Sequence, residues 1–179
     1  MVQPIGPLMI EHRLIERMIS VMKKKTEMME QTGVADVDFI EAAVDFIKTY
    51  ADRCHHGKEE DILFRDLKKK KMDPEDRKVM EELIQEHVKG RELTGSLVVA
   101  KERYASGDKA ALIAILDILK QLVDFYPKHI EKEDKVFFRP SMEYLTKAER
   151  GKMLEEEYEL DREIIHRIYE DKVDEYEKE

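Results

Sequence analysis

Residues 55–64 read His55-His56-Gly57-Lys58-Glu59-Glu60-Asp61-Ile62-Leu63-Phe64, and residues 129–138 echo them as His129-Ile130-Glu131-Lys132-Glu133-Asp134-Lys135-Val136-Phe137-Phe138. In each copy a histidine is followed four residues later by a glutamate. On a helix that spacing stacks both side chains on one face, a turn apart. The residues upstream argue for the helix. Ile40, Val44, Ile47 and Ala51 form an apolar stripe at helical spacing, and His55 continues it. Leu112, Ile115, Leu119, Leu122 and Tyr126 form another, and His129 continues that one. Both motifs therefore stand where a core residue is expected.

Working outward, punctuation divides the chain into five helices. Gly6-Pro7 opens the first, where a missing proline N–H costs nothing, and Gly33 closes it. Asp36 caps a second helix that runs to about Lys71. Asp73-Pro74 opens the third, with Glu75 and Asp76 in the turn that favours negative charge. Gly107 ends it, Asp108 caps the fourth, and Pro140 stops the fourth. Thr146 and Glu149 form a capping box for a fifth. Pro127 falls inside the fourth pattern and predicts a local kink. Leu8, Ile15, Ile19 and Met22 give the first helix its stripe, and no segment sustains strand-like alternation. Short links between long helices imply antiparallel neighbours. The fold expected is all-α: an antiparallel up-down four-helix bundle over residues 1–145, with a more polar C-terminal helix, 146–179, packed on it in the same domain.

Composition excludes several classes. The 179 residues include 7 Gly, 5 Pro and no Trp, with 41% charged and 42% hydrophobic residues, which suits long helices and is too apolar for a disordered chain. A net charge of -9 argues against nucleic acid, which needs a basic face. The one basic run, Lys68 to Lys71, reads as a solvated helix end. A single cysteine, Cys54, forbids an intrachain disulfide, and no apolar run reaches membrane-spanning length, so the expected location is cytoplasmic.

Two further histidines join the pattern. His12 lies between Leu8 and Ile15, and His87 continues the side of Met80 and Leu83. At about 1.5 Å rise per residue on alternating helices, His12, His55, His87 and His129 fall at heights of roughly 8, 10, 7 and 4 Å, one layer about a helical turn thick. Imidazole and carboxylate together suit iron, manganese or zinc. With His56 included, five imidazoles and two carboxylates exceed what one tetrahedral zinc uses, and two ions bridged by the carboxylates explain the count better. His56 with Glu60, or Asp134 five residues after His129, offers another register. His166 reads as structural or surface, Cys54 as a small core residue, and Tyr50, Tyr126 and Tyr158 lie near enough to the layer to be noted.

At these residues the chain resembles the hemerythrin family, specifically its cation-binding HHE domains, over about residues 8–140. The two ten-residue copies resemble the family's His-x-x-x-Glu-Glu-x-x-Leu-Phe element, and Glu11-His12 and Glu86-His87 its shorter single-histidine elements. The resemblance implies a four-helix bundle with two non-haem iron ions, carboxylate-bridged and joined by an oxo or hydroxo group. His12, His55, His87 and His129 would be terminal ligands and Glu59 and Glu133 the bridges. Oxygen-carrying hemerythrins have a second histidine four residues after the third-helix one; here Arg91 stands there and cannot ligate, and His56 is the natural substitute.

The function expected is a non-haem diiron protein that binds or senses dioxygen, nitric oxide or iron, with dioxygen, nitric oxide or peroxide as its small ligand. The alternative is a diiron enzyme for peroxide or nitric oxide detoxification, or for repair of iron–sulfur centres. Neither a nucleic acid nor a membrane is expected as partner, and any sensing output would need a further protein.

Overall fold

The computed structural model describes residues 3–176, without the side chains of residues 165–167 and 169–176. The described residues form helices joined by short turns, with no strand. Helix α1 spans Ile5–Thr32. Gly33 ends it at φ 69°, its N–H on the Met29 carbonyl, in the left-handed conformation that glycine adopts without a Cβ penalty. Helix α2 covers residues 37–67 and is not uniformly α-helical: Val37–Phe46 and Arg65–Leu67 are α, while Ile47–His56 and Glu59–Phe64 are π-helical. Its N-cap is Asp36, whose carboxylate accepts the Phe39 N–H at 3.1 Å. Helix α3 is Pro74–Ala105. Helix α4 covers 111–141, with a π segment, Glu133–Phe137, between its α-helical parts. Helix α5, Lys147–Tyr176, opens on the Thr146–Glu149 capping box.

Some boundaries differ from expectation. α2 stops at Leu67, because Lys69 and Lys70 tighten into a turn, their N–H groups bonding the carbonyls three residues back. Asp73 makes no side-chain cap; its backbone N–H donates to the Tyr144 hydroxyl at 3.2 Å, and that hydroxyl donates to Asp76 at 2.5 Å. Asp108 accepts the Ala110 N–H one turn before α4 begins. Pro140 does not stop α4, which continues through Ser141 and a 3₁₀ turn, Met142–Tyr144. Pro127 lies inside Ala111–Lys132 without ending it, and the helix changes to π geometry at Glu133.

α1 packs on α2 and α4, and α3 packs on the same two helices. Paired residues give the directions. Glu11 meets Lys58 while Lys25 meets Asp36; His12 meets Asp134 while Lys120 meets Glu30. Arg91 meets Asp52 and Glu60 while Lys101 meets Glu41. Neighbours therefore run in opposite directions. α5 lies against the π segments of α2. No helix among the described residues is long and apolar enough to cross a membrane.

The apolar interior falls into two clusters, one around Ile19, Leu97, Leu119 and Leu122, the other around Leu8, Phe64, Leu83 and Phe138. The histidine layer lies between them, as His12 lies between Leu8 and Ile15. Leu119 is fully enclosed about ten residues above His129, or roughly 15 Å along the helix. Leu119→Ala is therefore expected to cost about 2–5 kcal/mol in a chemical-denaturation measurement, without changing how much metal the protein holds.

Candidate metal centre

His12, His55, His56, His87 and His129 are all buried, and with them Glu59 and Glu133 are fully enclosed. The π segments explain how two consecutive residues, His55 and His56, both turn inward. An i→i+5 bond puts more residues in each turn, so neighbours are separated by a smaller rotation than in an α-helix. The donor atoms form two groups, His12 with His55, Glu59 and Glu133, and His56 with His87 and His129. Each carboxylate faces both. Glu133 Oε2 is 3.1 Å from His12 Nε2, while its Oε1 is 3.1 Å from His129 Nε2 and 3.5 Å from His87 Nε2. Glu59 Oε1 is 3.7 Å from His55 Nε2, and its Oε2 is 3.2 Å from His87 Nε2.

None of these facing atoms makes a hydrogen bond. The Nε2 atoms of His12, His55, His87 and His129 and all four carboxylate oxygens are buried without a partner. Buried polar atoms left unpaired are costly, and so many converging on one volume fit a cation rather than a packing fault.

The opposite ring nitrogens are all occupied, in a cyclic order. Glu11 of α1 holds His55 of α2 at 2.9 Å; Glu60 of α2 holds His87 of α3 at 2.7 Å; Glu86 of α3 holds His129 of α4 at 2.8 Å; Asp134 of α4 holds His12 of α1 at 2.8 Å. His56 is paired within its own helix, with Asp52 at 3.3 Å. A carboxylate on Nδ1 fixes the tautomer that leaves Nε2 as the donor. Glu60 and Asp134 thus stand behind imidazoles, and neither belongs to the two groups of converging donor atoms. Cations back the carboxylates in turn. Arg13 contacts Asp134, Lys58 contacts Glu11, Lys132 is 2.5 Å from Glu86, and Arg91 is 2.7 Å from both Glu60 and Asp52. Phe138, Phe64 and Phe125 stack on His12, His87 and His129.

The remaining candidates are not members of these two donor groups. Tyr126 is buried and, with His56, Arg91 and Thr94, lines a cavity of about 330 Å³. Tyr50 packs on the cluster around Ile19 and Leu119, and Tyr158 is exposed. Cys54 is half-buried rather than in the core, its thiol donating to Asp161 at 3.0 Å. The side chain of His166 lies outside the described residues.

A family model, the Hemerythrin HHE cation binding domain, matches residues 3–140. The chain belongs to the hemerythrin HHE cation-binding family. A search of curated proteins and one of solved structures give no match. As an HHE domain the chain keeps both paired motifs on inward-facing segments of α2 and α4. Sequence reasoning did not find the outer ring of Glu11, Asp52, Glu60, Glu86 and Asp134, nor the enclosed Lys58. The signal was present: an acidic residue directly beside four of the histidine or glutamate positions.

The titration of these groups reflects the same demand for positive charge. Burial pulls His12, His87 and His129 down, but the surrounding carboxylates outweigh it and raise them to about 10, 11 and 9. Burial pushes Glu133 up, yet the His129 charge and the contacts from His12 and His87 hold it well below the carboxylate range. Burial, with the charges of His87, His55 and His129, drives His56 far down, so it stays neutral. The raised histidines sit above their unfolded value of 6.5. Their stabilisation is therefore complete below about pH 6.5 and is lost as pH rises through roughly 9 to 11. The thermal midpoint of the metal-free protein should fall between pH 7 and 10. A flat or rising midpoint would mean that these imidazoles are not protonated partners of Glu59 and Glu133.

Proposed function

We propose that this HHE domain is a non-haem diiron protein that binds dioxygen or a related small ligand. One observation carries the reading: each of two enclosed carboxylates turns one oxygen toward His12 or His55 and the other toward His87 or His129. A single ion does not account for donors arranged as two sets joined by shared carboxylates. The ligands would be His12, His55, His56, Glu59, His87, His129 and Glu133, with Glu59 and Glu133 as the bridges. Iron is the metal that the resemblance to the hemerythrins implies, and a mixture of imidazole and carboxylate is compatible with it. Held by these residues, a pair of ferrous ions would supply the two electrons that dioxygen binding needs.

The protein's own part is to hold the donors, exclude water and leave room. One set has two imidazoles and two carboxylate oxygens, the other three imidazoles and two carboxylate oxygens. The first set is poorer by one donor, so an ion held there would be the one to take a further ligand. The paired helix directions support the finer architecture, an antiparallel up-down four-helix bundle over residues 1–145 with the C-terminal helix as part of the same domain. The single cysteine supports a cytoplasmic location.

An absorption spectrum of the iron-loaded protein with and without oxygen, followed by peroxide addition, tests the function. Binding or sensing gives a stable, reversible charge-transfer band and slow peroxide loss. Rapid turnover of peroxide or nitric oxide would replace this reading with that of a detoxifying enzyme.

A further inference from the structure

Helix α5 lies beyond the residues matched by the family model, yet it reaches the outer shell of the centre. Asp161 accepts a bond from Lys58 Nζ at 2.7 Å. Lys58 is wholly enclosed, and its other contact is to Glu11, whose second oxygen holds His55 Nδ1 at 2.9 Å. Four side chains thus link α5 to a histidine: Asp161, Lys58, Glu11, His55. The other cations of the ring, Arg13, Arg91 and Lys132, are 54, 40 and 28% exposed, so water completes their shells. Lys58 has no such recourse and depends on carboxylates at both ends.

The rest of the interface is built to keep α5 in place. Met153 is buried, Arg65 pairs with Glu156 at 2.8 Å, and Leu160 lies where a Cβ on Gly57 would meet it at 3.6 Å. Glu157, also buried on this face, has no partner for either oxygen. Burial raises it to about 8 against the pull of Lys58, so at neutral pH it is mostly uncharged and does not substitute for Asp161.

We infer that Asp161 is a positioning residue of the metal centre: acting through Lys58 and Glu11, it aims His55 Nε2, so that the docking of α5 sets how tightly one of the two ions is held. This rests on the diiron reading above. Without Asp161, the Lys58 ammonium keeps a single carboxylate and shifts, Glu11 follows it, and His55 loses its fixed orientation. Removal of partners behind a ligand typically weakens metal binding 10–100-fold, and the extra link places this case at about tenfold.

The test compares wild type, Asp161→Asn, Asp161→Glu and the double variant Asp161→Asn/Glu157→Gln, with exposed Glu159→Gln as control. Chelator competition with ferrous iron reads the affinity of each ion. Imidazole NMR of the zinc-loaded proteins reads exchange of the His55 Nδ1 proton. The expected result for Asp161→Asn is one ion weakened about tenfold and the other within about twofold. His55 Nδ1–H then exchanges faster while that of His87 does not change, and Asp161→Glu restores both readouts. Both ions unchanged and His55 still protected in the double variant would overturn the inference, as would equal weakening of both ions. A wild type that binds no second ion would instead fail the diiron reading, and this inference with it.

Discussion

Glu133→Ala is expected to reduce the metal content of the protein from two ions per chain to at most one. Glu133 lies at the centre of the donor set, with Oε2 3.1 Å from His12 Nε2 and Oε1 3.1 Å from His129 Nε2. Removing it takes a ligand from both ions and the charge that makes their close approach tolerable. Loss of groups that only support a ligand costs 10–100-fold in affinity, so loss of the ligand itself should exceed about 100-fold. Elemental analysis after gel filtration measures it, with exposed Glu131→Ala as a control that keeps both ions. A second signature comes with it. Without Glu133, His12, His87 and His129 each lose one of the carboxylates that raise them, and the fall in metal-free stability above pH 7 should become shallower. Two retained ions in Glu133→Ala would remove the bridge from the account.

Stripping the metal is expected to lower the thermal midpoint by roughly 20 °C near neutral pH. Ions that bind only the folded state stabilise it by about 4 kcal/mol each when present at 1,000 times their dissociation constants. Two sites give about 8 kcal/mol, and a chain of this size moves about 2–4 °C per kcal/mol. The effect should shrink at lower pH, because protonated His12, His87 and His129 then compete with the metal while also stabilising the metal-free fold. Differential scanning calorimetry with and without a chelator checks it. A change of only a few degrees would mean that the buried carboxylates are satisfied by protons alone.

How much of this was legible in the sequence depended on whether the signal was periodic or relational. Leu8, Ile15, Ile19 and Met22 are buried because a helix with that stripe has one face to hide, and the same logic placed His12 among them. The His-x-x-x-Glu spacing likewise depends only on one helix. The capping box at Thr146 and the left-handed Gly33 are local and were readable for the same reason. The π segments were not, because nothing in Ile47–His56 distinguishes an i→i+5 ladder from an α-helical one until tertiary contacts turn both His55 and His56 inward. The cyclic ring was hidden for a related reason. Glu11 adjoins His12 in the chain but serves His55, and Glu86 adjoins His87 but serves His129. Only the packing of neighbouring helices assigns such partners. Lys58 reads as a solvated residue within a charged motif; it is enclosed because Asp161, more than one hundred positions later, closes over it. Asp73 is no cap, because the Tyr144 hydroxyl brought in by the end of α4 takes its backbone N–H, a partner that only packing supplies.

A crystal of the iron-loaded protein, measured on both sides of the iron absorption edge, tests the central claim most directly. The account predicts two anomalous peaks roughly 3.5–4 Å apart, with Glu59 and Glu133 each contributing one oxygen to either ion. His12 and His55 would lie on one ion, and His56, His87 and His129 on the other. A single peak, or iron bound away from these seven side chains, would contradict it.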